Sequence, residues 1–333
     1  MKTCLFSVSY AGLWGQDNLS LEDFIPKAAA LGYTGIEIMC KKPHLYPFNA
    51  PPESVERLRQ AIAKNGLEVA CLAAYTNFTA GGDSREVPFV DLQVSYVRSI
   101  GAIAQALGVK LVRIFTGYEN THEPFGIQWQ NCVKAVRECC DAVREYGVTI
   151  GIQNHHDIAV DTKSLLEFYY EVSRKNLGLM VDAWSMHLRG EDLRKSLALV
   201  KDKIVFSTVA DYVVLKRHRY HPGLVAYEKL EPSLVKAVPM GAGEVDYPSY
   251  FAALREIGYN GWVSYETCSP LRGGGAIANL DRYAGQFLAY MKNISTSSRE
   301  TVIKNKIAGI PPVADPPSAE NPALPWVAGG SPS

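Results

Sequence analysis

The run Gly147-Val-Thr-Ile-Gly-Ile-Gln153 opens on a glycine, alternates its side chains with a period of two, and stops on a polar residue. In an extended chain Val148, Ile150 and Ile152 share one face, while Thr149, Gly151 and Gln153 share the other. The same form recurs at Gly35-Ile-Glu37, Gly66-Leu-Glu-Val69, Gly108-Val-Lys-Leu-Val-Arg113, Gly178-Leu-Met-Val-Asp182 and Gly261-Trp-Val-Ser-Tyr-Glu266. Lys203-Ile-Val-Phe-Ser-Thr208 repeats it with lysine in the glycine's place, and Cys4–Ser9 supplies a first apolar run. Each repeat follows an amphipathic stretch of helix length. Strand then helix, repeated around the chain, predicts a (β/α)8 barrel, in which chemistry sits where the strands stop.

The 333 residues accommodate one such barrel, typically about 250 residues, with insertions and a tail. The expected division is a barrel over 1–293 and an extended or disordered Pro/Ser/Ala-rich tail over 294–333, where seven of the 19 prolines fall. Lys+Arg and Asp+Glu balance at 34 each, so the electrostatic footprint of a nucleic-acid binder is missing. No run of about 18 apolar residues suggests a membrane span. Seven cysteines, odd in number and without CxxC spacing, argue against a disulfide framework and a cysteine zinc site. A reducing, cytoplasmic setting is the expectation.

Helix punctuation supports the same order. Ser20-Leu-Glu-Asp23 has the form of a capping box, Pro51-Pro52 opens a second helix that Asn65-Gly66 closes, and Asp161 is placed to cap the helix after the fifth strand. Residues 210–246 interrupt the rhythm and are expected to be a long, functional loop after the seventh strand. Alternation then turns Glu37, Arg113, Gln153, Asp182 and Glu266 toward one mouth of the barrel. Ionised groups gathered there persist only if they pair, hold a cation, or bind a polar ligand. An internal Glu37–Arg113 pair would be the purely structural outcome.

The ordered set Ala30-Leu-Gly-Tyr-Thr-Gly-Ile-Glu37, Asn154-His155-His156, Asp182, Asp211, Gly241-Ala-Gly-Glu-Val-Asp246, Gly258-Tyr-Asn-Gly261 and Glu266 resembles the xylose isomerase-like TIM barrels, specifically the sugar phosphate isomerase/epimerase group. The resemblance implies a divalent metal held by Glu, Asp, His and Glu at the ends of the fifth to eighth strands. In this chain those positions are Gln153, Asp182, Thr208 and Glu266, so two of four match. A cation on Asp182, Glu266 and the Gln153 carbonyl would have oxygen-rich ligation, favouring Mg²⁺ or Mn²⁺ over Zn²⁺. The other outcome is a relic site held by hydrogen bonds.

The resemblance further implies proton transfer beside a carbonyl by two carboxylates. Gln153 cannot carry a proton, which leaves Glu266 as the principal base, with His155 assisting. Glu37, Arg113, His156, Trp184, His187 (expected in a loop) and Arg272, in the turn Ser269-Pro-Leu-Arg272-Gly-Gly-Gly275, are the expected substrate contacts. The expected activity is a sugar or keto-sugar isomerase/epimerase, with a one-base keto-sugar lyase as an alternative. A non-catalytic carbohydrate-binding barrel is the other alternative. A metal-dependent endonuclease is disfavoured by too few ligands and zero net charge. The expected partners are a small sugar or sugar derivative and further copies of the chain, without nucleic acid or membrane.

Overall fold

A computed structural model describes residues 1–81 and 86–296. Eight parallel strands close into a barrel: β1 Lys2–Phe6, β2 Gly35–Met39, β3 Glu68–Ala73, β4 Leu111–Ile114, β5 Thr149–Gln153, β6 Leu177–Asp182, β7 Ile204–Val209 and β10 Trp262–Tyr265. Around the ring β1 pairs with β2 on one side and with β10 on the other, which closes the sheet. Closure removes the unpaired sheet edges that an open parallel sheet would have.

The helices are α1 Leu21–Ala30, α2 Pro52–Lys64, α3 Phe89–Leu107, α4 Phe125–Val143, α5 Thr162–Val172, α6 Ala183–Leu188, α7 Leu193–Val200, α8 Tyr247–Glu256 and α9 Ile277–Thr296. Their starts follow local chemistry. The Ser20 hydroxyl accepts from Asp23 N–H at 3.1 Å, and Asp161 accepts from the N–H groups of Lys163 and Ser164. Each bond satisfies donors that the first helical turn leaves without partners. Helix α9 continues past the expected boundary at 293, and Ile294 is buried in the core. The rest of the expected tail lies outside the described residues.

Side-chain alternation is as the pattern requires. Ile36, Ile38, Val112, Ile114, Ile150, Ile152, Leu179, Val181 and Val263 join the helices in the main core. The opposite faces contribute Cys4, Cys71, Leu111, Met180 and Phe206 to a plug inside the barrel, with Trp262 at its lower end. That indole fits because position 35 is glycine: a Cβ there would stand 2.5 Å from the ring. Above the plug lie Phe6, Val8, Met39 and Ala73, with Trp14, Tyr75 and Cys268 against them.

Three local expectations need correction. The first strand ends at Phe6, and Ser7–Tyr10 form a 3₁₀ turn. His187 sits on α6, because Asp182 caps a helix immediately after β6. Finally, 210–246 is not a loop. Strands β8 Asp211–His221 and β9 Ala226–Val238 form an antiparallel ribbon, paired from Asp211↔Val238 to His221↔Ala226 with one register shift between Leu215 and Arg217. Its Tyr, Val and Leu content and the turn-forming Pro222-Gly223 account for the ribbon.

Asp211 fixes the base of this ribbon, accepting from Gly241 N–H at 2.8 Å and Gly243 N–H at 2.9 Å. A Cβ at position 243 would lie 2.0 Å from the Asp211 carboxylate, so only glycine permits the approach. Among the described residues all seven cysteines are free, and no helix is long and apolar enough to cross a membrane.

Candidate active site at the barrel mouth

Parallel strands in register bring the ends of β4, β5, β6, β7 and β10 to one rim. Arg113 faces Gly151, Gln153 faces Met180, Asp182 faces Thr208, and Thr208 faces Ser264. Glu266, just beyond β10, donates its backbone N–H to Val209 and so stays in the sheet's line. The side chains of Glu37, Arg113, Gln153, Asp182, Thr208 and Glu266 are all buried.

A chain of hydrogen bonds crosses the rim. Arg113 Nη1 donates to Gln153 Oε1 at 3.0 Å, and Gln153 Nε2 donates to Asp182 Oδ2 at 3.2 Å. Arg113 Nη2 donates to the Ala74 carbonyl at 3.3 Å. The guanidinium also stands 5.2, 4.8 and 4.2 Å from the ring centres of Phe6, Tyr75 and Phe115, distances at which ring quadrupoles attract a cation. Asp182 is fully engaged: Oδ1 accepts from Trp184 N–H and Ser185 N–H, and Oδ2 from Ser185 Oγ as well as Gln153. Asn154 anchors the Asp182 backbone, accepting from its N–H at 2.6 Å.

Enclosure shapes the charges. Burial, with Asp182 as a nearby like charge, raises the Glu266 pKa to about 8 against the opposing pull of Arg113. Burial raises Glu37 to about 7, again eased by Arg113. Glu37 and Arg113 do not make the direct ion pair that the structural outcome would have required. Neither Glu37 oxygen has a hydrogen-bond partner; Ser264 lies close enough to favour the carboxylate without meeting that geometry. Burial disfavours the Arg113 charge, but Tyr75, Glu37 and Glu266 outweigh it and hold the group protonated. Arg113 Nε, Thr208 Oγ1 and Ser264 Oγ are likewise without partners, so the floor of the mouth is polar and under-satisfied.

His155 and His156 sit at the rim. His156 N–H donates to His155 Nδ1 at 2.8 Å, which leaves the His155 proton on Nε2. His155 is exposed at the rim and His156 half-buried; loss of hydration lowers His156 to about 3, which keeps it neutral at physiological pH, and the direction for His155 is likewise downward. The His156 backbone is held in the left-handed region at φ 69°, a cost carried at few non-glycine positions. Its ring packs 4.1 Å from Phe115 and 4.0 Å from Tyr118. A cleft of about 700 Å³ bounded by Asn77, Thr79, Tyr118 and Asn120 adjoins the rim there, and none of the charged mouth residues lines it.

The remaining expected contacts are peripheral. Trp184 is partly buried, stacked on His187 at 5.4 Å and tilted against Tyr212 at 4.9 Å. His187 Nε2 lies 3.8 Å from Glu244. Arg272 is exposed, and the helix N-terminus after its turn already binds a carboxylate, with Ile277 N–H donating to Asp17. A phosphate there would compete with a resident anion.

Sequence reading missed Lys41 and Cys268. Lys41 lies 3.9 Å over the Tyr75 ring, its pKa lowered by burial and by Arg113. Cys268 takes its N–H to Tyr212 Oη, and burial together with Glu266 raises its thiol pKa. Both lie past the strand ends, where alternation was no longer followed, although Cys268 is spaced two residues from Glu266.

As they stand, these donors do not fit a divalent cation. Gln153 Oε1 accepts from the charged Arg113 guanidinium, which a cation on the same oxygen would oppose; both Asp182 oxygens are fully hydrogen-bonded, and Thr208 offers a hydroxyl where the resemblance implies an imidazole. Among the described residues no group of three or more His, Cys, Asp or Glu stands together as a metal site.

Comparison with known proteins agrees with this architecture. The xylose isomerase-like TIM barrel family model matches residues 25–293, and the chain belongs to that family. It is 25% identical over 281 residues to hydroxypyruvate isomerase of Escherichia coli (strain K12), covering 78% of this chain and 92% of that one. It is 23% identical over 265 residues to inosose dehydratase of Erwinia tasmaniensis, covering 76% and 83%. The crystal structure of D-psicose 3-epimerase with D-tagatose from Clostridium cellulolyticum H10 superposes with a TM-score of 0.66 at 17% identity, covering 88% of this chain and 99% of that one.

Proposed function

We propose that this member of the xylose isomerase-like TIM barrel family is a sugar-type isomerase or epimerase, moving a proton at the carbon beside a carbonyl with Glu266 as base. The observation that carries the reading is the placement of the Glu266 carboxyl beside Asp182 at a buried rim that also holds a guanidinium. Proton abstraction next to a carbonyl needs a base, a positive field for the developing oxyanion, and exclusion of water. Glu266 supplies the first, Arg113 the second, and the aromatic wall of Phe6, Tyr75 and Phe115 the third. His155, whose Nδ1 accepts from the His156 N–H, presents its Nε2–H as a donor for a substrate oxygen. The named relatives are, by name, a hydroxypyruvate isomerase and an inosose dehydratase.

Gln153 favours a second reading, a lyase. With an amide at the position of the second carboxylate, a single base removes the proton and a leaving group departs from the next carbon. The inosose dehydratase relative bears a name of this chemistry. Incubation in D₂O with a panel of keto-sugars and inososes tests both: deuterium in recovered substrate or isomer supports proton transfer, and an unsaturated product supports elimination. Glu266→Gln is expected to abolish either while the protein still melts cooperatively. Ligand-dependent melting without any exchange or elimination would leave a binding barrel.

A further inference from the structure

We propose that this barrel mouth operates without a divalent cation, the buried guanidinium of Arg113 serving as its resident positive charge. The inference deepens the proton-transfer reading and rests on it for the catalytic consequence; the cation test below stands independently.

The argument begins with Gln153. Arginine only donates hydrogen bonds and an ionised carboxylate only accepts them. An amide is the side chain of this size able to face both, its carbonyl toward Arg113 at 3.0 Å and its NH₂ toward Asp182 at 3.2 Å. A glutamate in the same place would accept from Arg113 equally well but would put a second negative oxygen against Asp182 Oδ2. Such a carboxylate pair is tolerable when a dication lies between its members and repulsive when none does. Gln153 is therefore the residue that suits a cation-free rim.

The other donors agree independently. Asp182 spends its two oxygens on four donors, two of them the Trp184 and Ser185 N–H groups in the first turn of α6. Rotating it onto a metal would uncap that helix. Thr208 contributes a hydroxyl without a partner and no nitrogen. A positive charge that faces Asp182 across Gln153 and favours the ionised forms of Glu37 and Glu266 is already present on Arg113, enclosed by three aromatic rings and 2% exposed. A guanidinium remains charged throughout the physiological range, and a dication beside it would meet unscreened repulsion. When Glu266 takes the proton, the electron pair left on carbon moves into a new C=C bond and the carbonyl oxygen gains the negative charge. Arg113 supplies the fixed positive field for that oxygen; the isomer forms when Glu266 returns its proton to the former carbonyl carbon while the adjacent hydroxyl passes its proton to the oxyanion and becomes the new carbonyl.

The test is Mn²⁺ binding by the purified full chain, read from the electron paramagnetic resonance signal of free Mn²⁺. The wild type is expected to leave the signal undiminished into the millimolar range and to melt at the same temperature in EDTA and in Mn²⁺. Gln153→Glu is expected to melt lower in EDTA and to recover stability as Mn²⁺ is added. Stoichiometric Mn²⁺ uptake by the wild type that Asp182→Asn abolishes would overturn the proposal. If Gln153→Glu does not fold, the wild-type titration alone decides. Absence of proton exchange with any sugar, combined with absence of Mn²⁺ uptake, would remove the proton-transfer reading while leaving this inference standing.

Discussion

The side-chain amide of Gln153 donates to Asp182 Oδ2 at 3.2 Å while its carbonyl accepts from Arg113. One neutral group thus separates two buried charges and bonds to both.

Gln153→Leu keeps the approximate volume and removes both bonds. The buried Arg113 and Asp182 groups then each lose a partner, at about 1–3 kcal/mol apiece. Urea unfolding is expected to show a combined loss of about 2–6 kcal/mol. Unchanged stability would show that the bridge carries no load.

The activity assigned to Glu266 requires the carboxylate form. Because burial and Asp182 raise its pKa to about 8, turnover is expected to climb with pH up to a plateau near that value. A pH–rate profile flat from 6 to about 9 would contradict a Glu266 base.

Stability should move the opposite way. Glu266 and Glu37 hold protons in the folded state, with pKa values of about 8 and about 7, that the unfolded chain releases near 4.5. Folding stability is therefore greatest below pH 4.5 for these two groups and falls as pH rises toward 8, by at most about 1.4 kcal/mol per pH unit for each. Glu266→Gln removes one titrating group, so urea midpoints across this window are expected to decline less steeply than in the wild type.

Lys41 is among the charges that depress His156. Lys41→Met removes that charge, so NMR titration of His156 is expected to give a higher midpoint. An unmoved midpoint would separate Lys41 from the histidine pair.

Gly243→Ala would drive a methyl group to 2.0 Å from the Asp211 carboxylate. It is expected to cost more than about 2 kcal/mol and to speed amide exchange of Gly241 and Gly243. Asp211→Ala should speed the same amides without the steric cost.

The barrel was legible because its sequence pattern is redundant. Runs such as Gly147–Gln153 and Gly178–Asp182 fix strand position, face and end together, and a slip of one residue would turn Glu37 or Arg113 into the helices. The convergence of Arg113, Gln153, Asp182 and Glu266 followed from that register. Positions past the strand ends were less legible. Lys41, His155 and Cys268 lie where backbone direction is set by turns, and turn geometry depends on partners distant in sequence, such as Tyr212 for Cys268. The ribbon was missed for a different reason. Its strands mix Lys, Arg, His and Glu on both faces, which hides the period of two that a half-buried strand displays.

That ribbon enters and leaves the rim at facing positions, Asp211 opposite Val238, and its first turn of chain is held by Tyr212 contacts to Trp184 and Cys268. Rungs farther out, from Val214 opposite Val235 to the tip, are joined chiefly to each other. The arm is therefore modular: deleting opposed residues in pairs shortens it without re-threading the barrel, and a tag or a second module grafted between His221 and Ala226 would ride outside the catalytic rim.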